Sequence, residues 1–229
     1  MTIVSTHQPV YLPWLGYIEK VISSEKFVFL DDVQYERRGF QNRNKIRTSE
    51  GDMWLTVPVK IKSETLLKDV KIDYSVDWIR KHTKAIMLNY ANANFFDNYW
   101  PELKKIYEKK YEFLIELNME IIKFLLDKLK IKTQTLFSSE LDISDKGSDR
   151  ILKICKTLDA HTYISGIGGK EYLQVDDFKL NGINLVFQNF QHPVYQQVFD
   201  PFHQNIAAID LLFNEGDNAM NFIKKAKGF

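Results

Sequence analysis

A chain of 229 residues with 31 Lys+Arg against 30 Asp+Glu carries a net charge of +1, which argues against a protein whose main work is gripping nucleic acid by charge. A single cysteine, Cys155, excludes an internal disulfide and suits a reducing compartment. No apolar stretch reaches the roughly eighteen residues of a bilayer span, and the first residues read as a strand and not as a charged leader, so a cytoplasmic location is expected.

Taken in chain order, the apolar pattern predicts a strand over 2–6, a helix over 13–23 and a strand over 26–31. A polar loop follows, then a strand over 53–59 that Pro58 marks as an edge or a strand end. A short extended piece holding Val70 and Ile72 is a candidate to pair with it. From about 77 to 130 the period becomes helical, with Asp77 placed to cap the first segment. A helix starting at Ser144 or Asp145 runs through Ile151, Ile154, Cys155 and Leu158. Strand Thr162-Tyr163-Ile164, strand Asn184-Leu185-Val186-Phe187 and a helix from Ile206 to about Gly216 complete the chain. Strands separated by helices imply an α/β class with a mainly parallel, Rossmann-like sheet. With no linker, repeat or low-complexity tract, residues 1–229 read as one domain with a helical insertion or cap at about 77–130.

The chemistry concentrates where predicted strands end. His7 closes the first strand and is suited to act as a base, a hydrogen-bond donor or a ligand. Gln8, Tyr11 and Trp14 beside it supply orienting polar groups and an aromatic face, in a loop stiffened by Pro9 and Pro13 and opened by Gly16. Asp31 and Asp32 end the second strand, where the alternatives are binding a metal, taking a proton from an attacking amine, gripping a ribose, or serving as a loop anchor or helix cap. Arg37, Arg38 and the run Asn42-Arg43-Asn44-Lys45 have the donors to neutralise a diphosphate. Ser165-Gly166-Ile167-Gly168-Gly169-Lys170 is a glycine-rich turn after a strand, suited to present backbone N–H groups to an anion, with a plain tight turn as the equal alternative. Neither a Walker A nor a GxGxxG pattern is present. His82, His161, His192 and His203 show no metal-ligand spacing and one cysteine gives no zinc signature, so no metal site is assigned, with a metal at Asp31 or Asp32 left open. Cys155 falls on an apolar helix face and reads as core.

The segments HQPVYLPWLGY, FVFLDDVQYERRGFQNRNKI, WLTVPV, YISGIGGKEYL and IDLLFNEG, in order from residue 7 to residue 216, resemble the WbqC-like protein family. The resemblance implies bacterial surface-polysaccharide (O-antigen) biosynthesis. It carries site roles to His7, Gln8, Tyr11, Trp14, Asp31, Asp32, Gln34, Asn42, Arg43, Asn44, Ser165, Gly166 and Tyr172. Where the family is expected to carry a small, serine-containing segment before IDLLFNEG, this chain has His203-Gln204-Asn205-Ile206-Ala207-Ala208. The strand–loop–helix opening and the late strand ending in Ile164-Ser165 also resemble nucleotide-binding HUP-type folds, although Trp14-Leu15-Gly16-Tyr17 lacks both histidines of their HxGH signature.

Three functions compete at this stage. The first is a transferase that places an acyl or aminoacyl group, glycyl for instance, on the amine of a nucleotide-linked aminosugar. There His7, Asp31 or Asp32 would handle the proton, while Arg43 and the turn holding Gly168 and Gly169 would bind phosphate. The second is ATP-dependent activation of an acid, and the third a non-catalytic sugar-nucleotide-binding protein. The cofactor is accordingly open between ATP and an acyl or aminoacyl donor. A nucleotide-sugar is the expected partner, and the oligomeric state, homo-oligomer included, is open.

Overall fold

A computed structural model describes residues 1–226. In chain order it runs β1 (Ile3–His7), α1 (Leu15–Ile22) and β2 (Lys26–Phe29). A hairpin of β3 (Arg43–Thr48) and β4 (Gly51–Thr56) follows, then a small ribbon of β5 (Val59–Lys60) and β6 (Lys71–Ile72). Three helices come next: α2 (Trp78–Tyr90), α3 (Phe96–Glu108) and α4 (Leu114–Lys128). The α/β pattern resumes with β7 (Gln134–Phe137), α5 (Gly147–Thr157), β8 (Thr162–Ser165), α6 (Val175–Leu180) and β9 (Asn184–Phe187). Helices α7 (Ile209–Glu215) and α8 (Ala219–Lys225) follow.

Five strands form one sheet in the order β7-β2-β1-β8-β9, every pairing parallel. Short, β-branched and aromatic strands buried on both faces are what a parallel sheet demands. Alternation along β2 divides the two cores. Phe27 and Phe29 face a large cluster with Ile18 of α1, Leu117 of α4 and Phe213 of α7. Val28 points the other way, into a smaller cluster with Ile154 and Cys155 of α5 and Phe178 of α6. Each fully buried ring contributes about 1.5–3 kcal/mol. Cys155 is core, and burial pushes its thiol up to about 12.

Asp77 caps α2 as expected, its carboxylate accepting from the Arg80 N–H at 3.2 Å. Ile72 pairs with Val59 in the β5–β6 ribbon. The structure corrects several boundaries. Residues 43–45, read as part of a polar loop, enter strand β3, because Asn44 and Ile46 on one of its faces are fully buried against the core. Strand β7 was not anticipated: four residues of mixed polarity on a sheet edge carry little apolar signal. Helix α5 starts at Gly147 and not at Ser144 or Asp145, α7 starts at Ile209 and not at Ile206, and α6 and α8 were unforeseen.

Candidate active site

In this strand order, β1 and β8 are neighbours whose following connections leave on opposite faces: α1 lies in the larger core, α6 in the smaller. Open α/β sheets bind ligands in the crevice that such a reversal leaves outside the strand C-termini. Here a cavity of about 440 Å³ occupies that place, lined by His7, Trp14, Lys20, Gly166, Gln188 and Asn205 among others.

His7 is the last residue of β1 and is half-buried. Its Nδ1 donates to the Gln8 carbonyl at 3.0 Å; a carbonyl only accepts, so Nδ1 carries the proton and Nε2 keeps its lone pair. Trp14 and Tyr17 meet the imidazole edge-on, with centroids 5.5 and 5.0 Å away. Burial, and then the nearby Lys20 charge, lower its pKa to about 3. At neutral pH this ring is an uncharged acceptor.

Lys20 is a site residue that no motif in the sequence singles out. It lies one turn after Gly16 on α1, so the helix period turns it to the same side. Its Nζ donates to the Thr6 carbonyl at 3.0 Å. Burial lowers its pKa to about 7, against the opposing pull of Glu19. The one available signal was a charged pair, Glu19-Lys20, inside an otherwise apolar helix. Glu19 is itself buried and tied down by the Ser23 hydroxyl at 2.6 Å and the Gln188 amide at 2.5 Å. Gln188 also donates to the Gly16 carbonyl at 2.8 Å, which fastens the end of β9 to α1.

The glycine-rich turn folds as a 3₁₀ turn over Ile167–Glu171. Gly166 and Gly168 line the crevice. Gly169 has a different reason to be glycine: a Cβ there would lie 2.0 Å from the Ser165 hydroxyl. Ser165 is buried and donates to the Gly166 carbonyl at 3.0 Å. Tyr172, beyond the turn, is 47% exposed and does not line the crevice.

The other expected site residues go elsewhere. Asp31 accepts from the Ser139 N–H at 3.0 Å and from the Ser138 and Ser139 hydroxyls at 3.1 and 2.6 Å. Asp32 is bound by Arg150 and by Ser138. Both carboxylates therefore tie the end of β2 to the segment after β7 and do not line the His7 crevice. For Asp32, burial would raise the pKa, but the bonds from Arg150 and Ser138 outweigh it and hold it below the ordinary value. Tyr11 is fully buried and bonded to Tyr107 and to His82 at 2.8 Å, so its ring is core and offers no stacking face. Asn42 donates to the Val57 carbonyl at 2.8 Å and Asn44 to the Leu12 carbonyl at 2.5 Å. These two amides shape loops, and of the polar run Arg43 and Lys45, both half-buried beside Trp54, are left facing outward. Gln8 and Gln34 share a separate cleft of about 750 Å³ with Arg37 and Lys62. Adjacent residues His7 and Gln8 thus serve two cavities. From the divergent segment 203–208, Asn205 reaches the crevice wall, while the Ala207 N–H bonds Lys45 and the Ala208 N–H bonds Pro13.

The family model of the WbqC-like protein family matches residues 8–222. The chain belongs to that family. It is also 30% identical over 225 residues to an uncharacterized protein of Mycobacterium tuberculosis, covering 96% of this chain and 97% of that one. The matched span of this WbqC-like chain includes Trp14, Lys20, Gly166 and Gln188 of the crevice, and His7 stands immediately before it. Among the described residues no helix is long and apolar enough to cross a membrane.

Proposed function

We propose that this chain transfers an acyl or aminoacyl group, for instance glycyl, to the amine of a nucleotide-linked aminosugar in bacterial surface-polysaccharide biosynthesis, and that the reaction takes place in the His7–Lys20 crevice. One observation carries the reading: a buried lysine whose pKa is lowered to about 7 stands with an uncharged imidazole at the point of the sheet where ligands bind. An amine held near neutrality is matched to proton transfer at physiological pH. In the proposed step the sugar nitrogen attacks the acyl carbonyl, the new C–N bond forms, the bond to the donor's leaving group breaks, and Lys20 Nζ takes the ammonium proton. His7 Nε2 accepts a hydrogen bond from the attacking amine. This moves the proton role away from Asp31 and Asp32, whose carboxylates already hold the segment after β7.

The test mixes the protein with nucleotide-linked aminosugars and candidate acyl or aminoacyl donors and reads the products by mass spectrometry. An acylated sugar that disappears with Lys20→Met and His7→Ala supports the reading. Wild-type turnover in both variants removes the crevice from the mechanism. Binding of nucleotide-sugars without product under any donor would leave a non-catalytic binding protein.

A second reading rests on the strand order. With β7-β2-β1-β8-β9 read from the outermost strand inward and out again, the sheet follows the nucleotide-binding pattern in which the first strand borders the reversal. ATP-dependent activation of an acid in the same crevice is distinguished by pyrophosphate release on adding ATP and the acid.

A further inference from the structure

The two faces of the β3–β4 hairpin have opposite character. Asn44, Ile46 and Leu55 turn inward and are buried. Pairing in register puts Arg43 opposite Thr56 and Lys45 opposite Trp54 on the outward face. Trp54 is 42% exposed there, with the Arg43 guanidinium 4.5 Å and the Lys45 Nζ 5.4 Å from its ring centroid. Phe40, also 42% exposed, stands 5.9 Å from Trp54 and 5.1 Å from Trp14 between centroids. Trp14 is a wall of the crevice. An aromatic path therefore leads from open solvent into the candidate active site.

The charges along this path say what it is fitted to hold. Lys45 is shared with Asp52 at 3.2 Å, and Asp52 also binds His203 at 2.7 Å. Arg43 donates to the Arg38 carbonyl, and among the described residues it has no carboxylate within ion-pair distance. A bare aromatic face would suit a pyranose ring or an apolar segment equally well. A guanidinium without a carboxylate beside that face favours a planar ring joined to an anion, and a nucleoside diphosphate has that combination.

We infer that the Phe40–Trp54 platform is a nucleotide subsite: the base stacks on these rings, Arg43 and Lys45 hold the diphosphate, and whatever the diphosphate carries points past Trp14 into the crevice. Only the last clause rests on the transfer reading above; nucleotide binding on the hairpin face does not need it.

Free dTDP, UDP, GDP and ADP are the probes, titrated by calorimetry against the full chain. At least one binds, and Trp54→Ala weakens it about tenfold, within the range for losing one stacked base. Trp54→Leu keeps apolar bulk without the π face and weakens binding similarly. Arg43→Gln lowers affinity and flattens its salt dependence. No binding of any of the four, or equal affinity in wild type and both Trp54 variants, overturns the platform. The two readings fail separately. Trp54-dependent nucleotide binding without acylated product leaves the platform standing alone, and acylation with an unchanged nucleotide-sugar KM in Trp54→Ala sinks the platform alone.

Discussion

Lys20 donates its side-chain amine to the Thr6 carbonyl, 3.0 Å away, which seats a basic nitrogen at the C-terminal tip of the central strand. The bond positions the amine while burial withholds water from it. Turnover is therefore expected to rise as pH climbs through about 7, where Lys20 loses its proton, with no inflection from His7, whose pKa lies near 3. Lys20→Met removes the inflection and lowers kcat on the order of 10²–10⁴-fold, the usual worth of a general base. Stability gives an independent readout. The folded pKa of about 7 lies below the ordinary 10.5, so between these values the unfolded chain binds more protons and wild-type stability increases with pH. Urea titrations from pH 7 to 9 should show that increase in wild type and a smaller one in the variant.

Asn44 holds the loop between β1 and α1. Its amide meets the carbonyl of Leu12, a buried non-glycine residue at φ 46°, a conformation that persists only when its surroundings enforce it. Asn44→Ala leaves a buried carbonyl without a partner, at a cost of about 1–3 kcal/mol. Chemical denaturation should register that loss. The KM for the crevice ligand should rise as well, because Trp14 sits two residues beyond Leu12.

Asp32 is expected to behave as an anchor. Its ion pair with Arg150 is largely buried, with 11% of the Arg150 side chain and 19% of the Asp32 side chain exposed. Asp32→Asn should cost about 1.5–3 kcal/mol, as for a hydrogen bond to a charged group, and leave kcat within a few-fold of wild type. Because the folded pKa is depressed, the wild-type contribution is present above the ordinary 3.8 and is lost as pH falls through the lower folded value. The gap between wild type and variant should shrink on acidification. A collapse of kcat with an unchanged melting temperature would return the residue to the chemistry.

Asp210 explains the acidic position in the IDLLFNEG segment. It is fully buried and accepts from the Tyr195 hydroxyl at 2.8 Å and the Gln197 amide at 2.9 Å, stapling the segment after β9 to α7. Burial raises its pKa to about 6, against the hydrogen bonds and Arg47. Its contribution to stability is thus full below the ordinary 3.8 and is lost as pH rises through about 6. Asp210→Asn should abolish that part of the pH dependence, measured as the difference in denaturation midpoint between pH 4 and pH 7.

Much of this architecture can be read along the chain. Apolar runs ending in His7, near Asp31 and in Ser165 are local features, and so is the helical period of residues 78–128. A strand buried on both faces must be continuously apolar, and a helix packed on one side must repeat every three to four residues, so the α/β class follows from pattern alone. Polar side chains obey no such rule. Asn42, Arg43 and Asn44 look alike as a string of donors, yet Asn42 and Asn44 spend their amides on Val57 and Leu12 while Arg43 lies over an exposed indole. Asp31 and His7 end neighbouring strands, yet one turns to Ser138 and Ser139 and the other to the crevice. Lys20 stands out from the other lysines only once the fold buries it against Thr6. Hydrophobicity is a property that each residue carries with it, and so the order of neighbours suffices to place the sheet. A hydrogen bond or a shifted pKa depends on which distant groups come within about three ångströms, and that is decided only when the strands assemble.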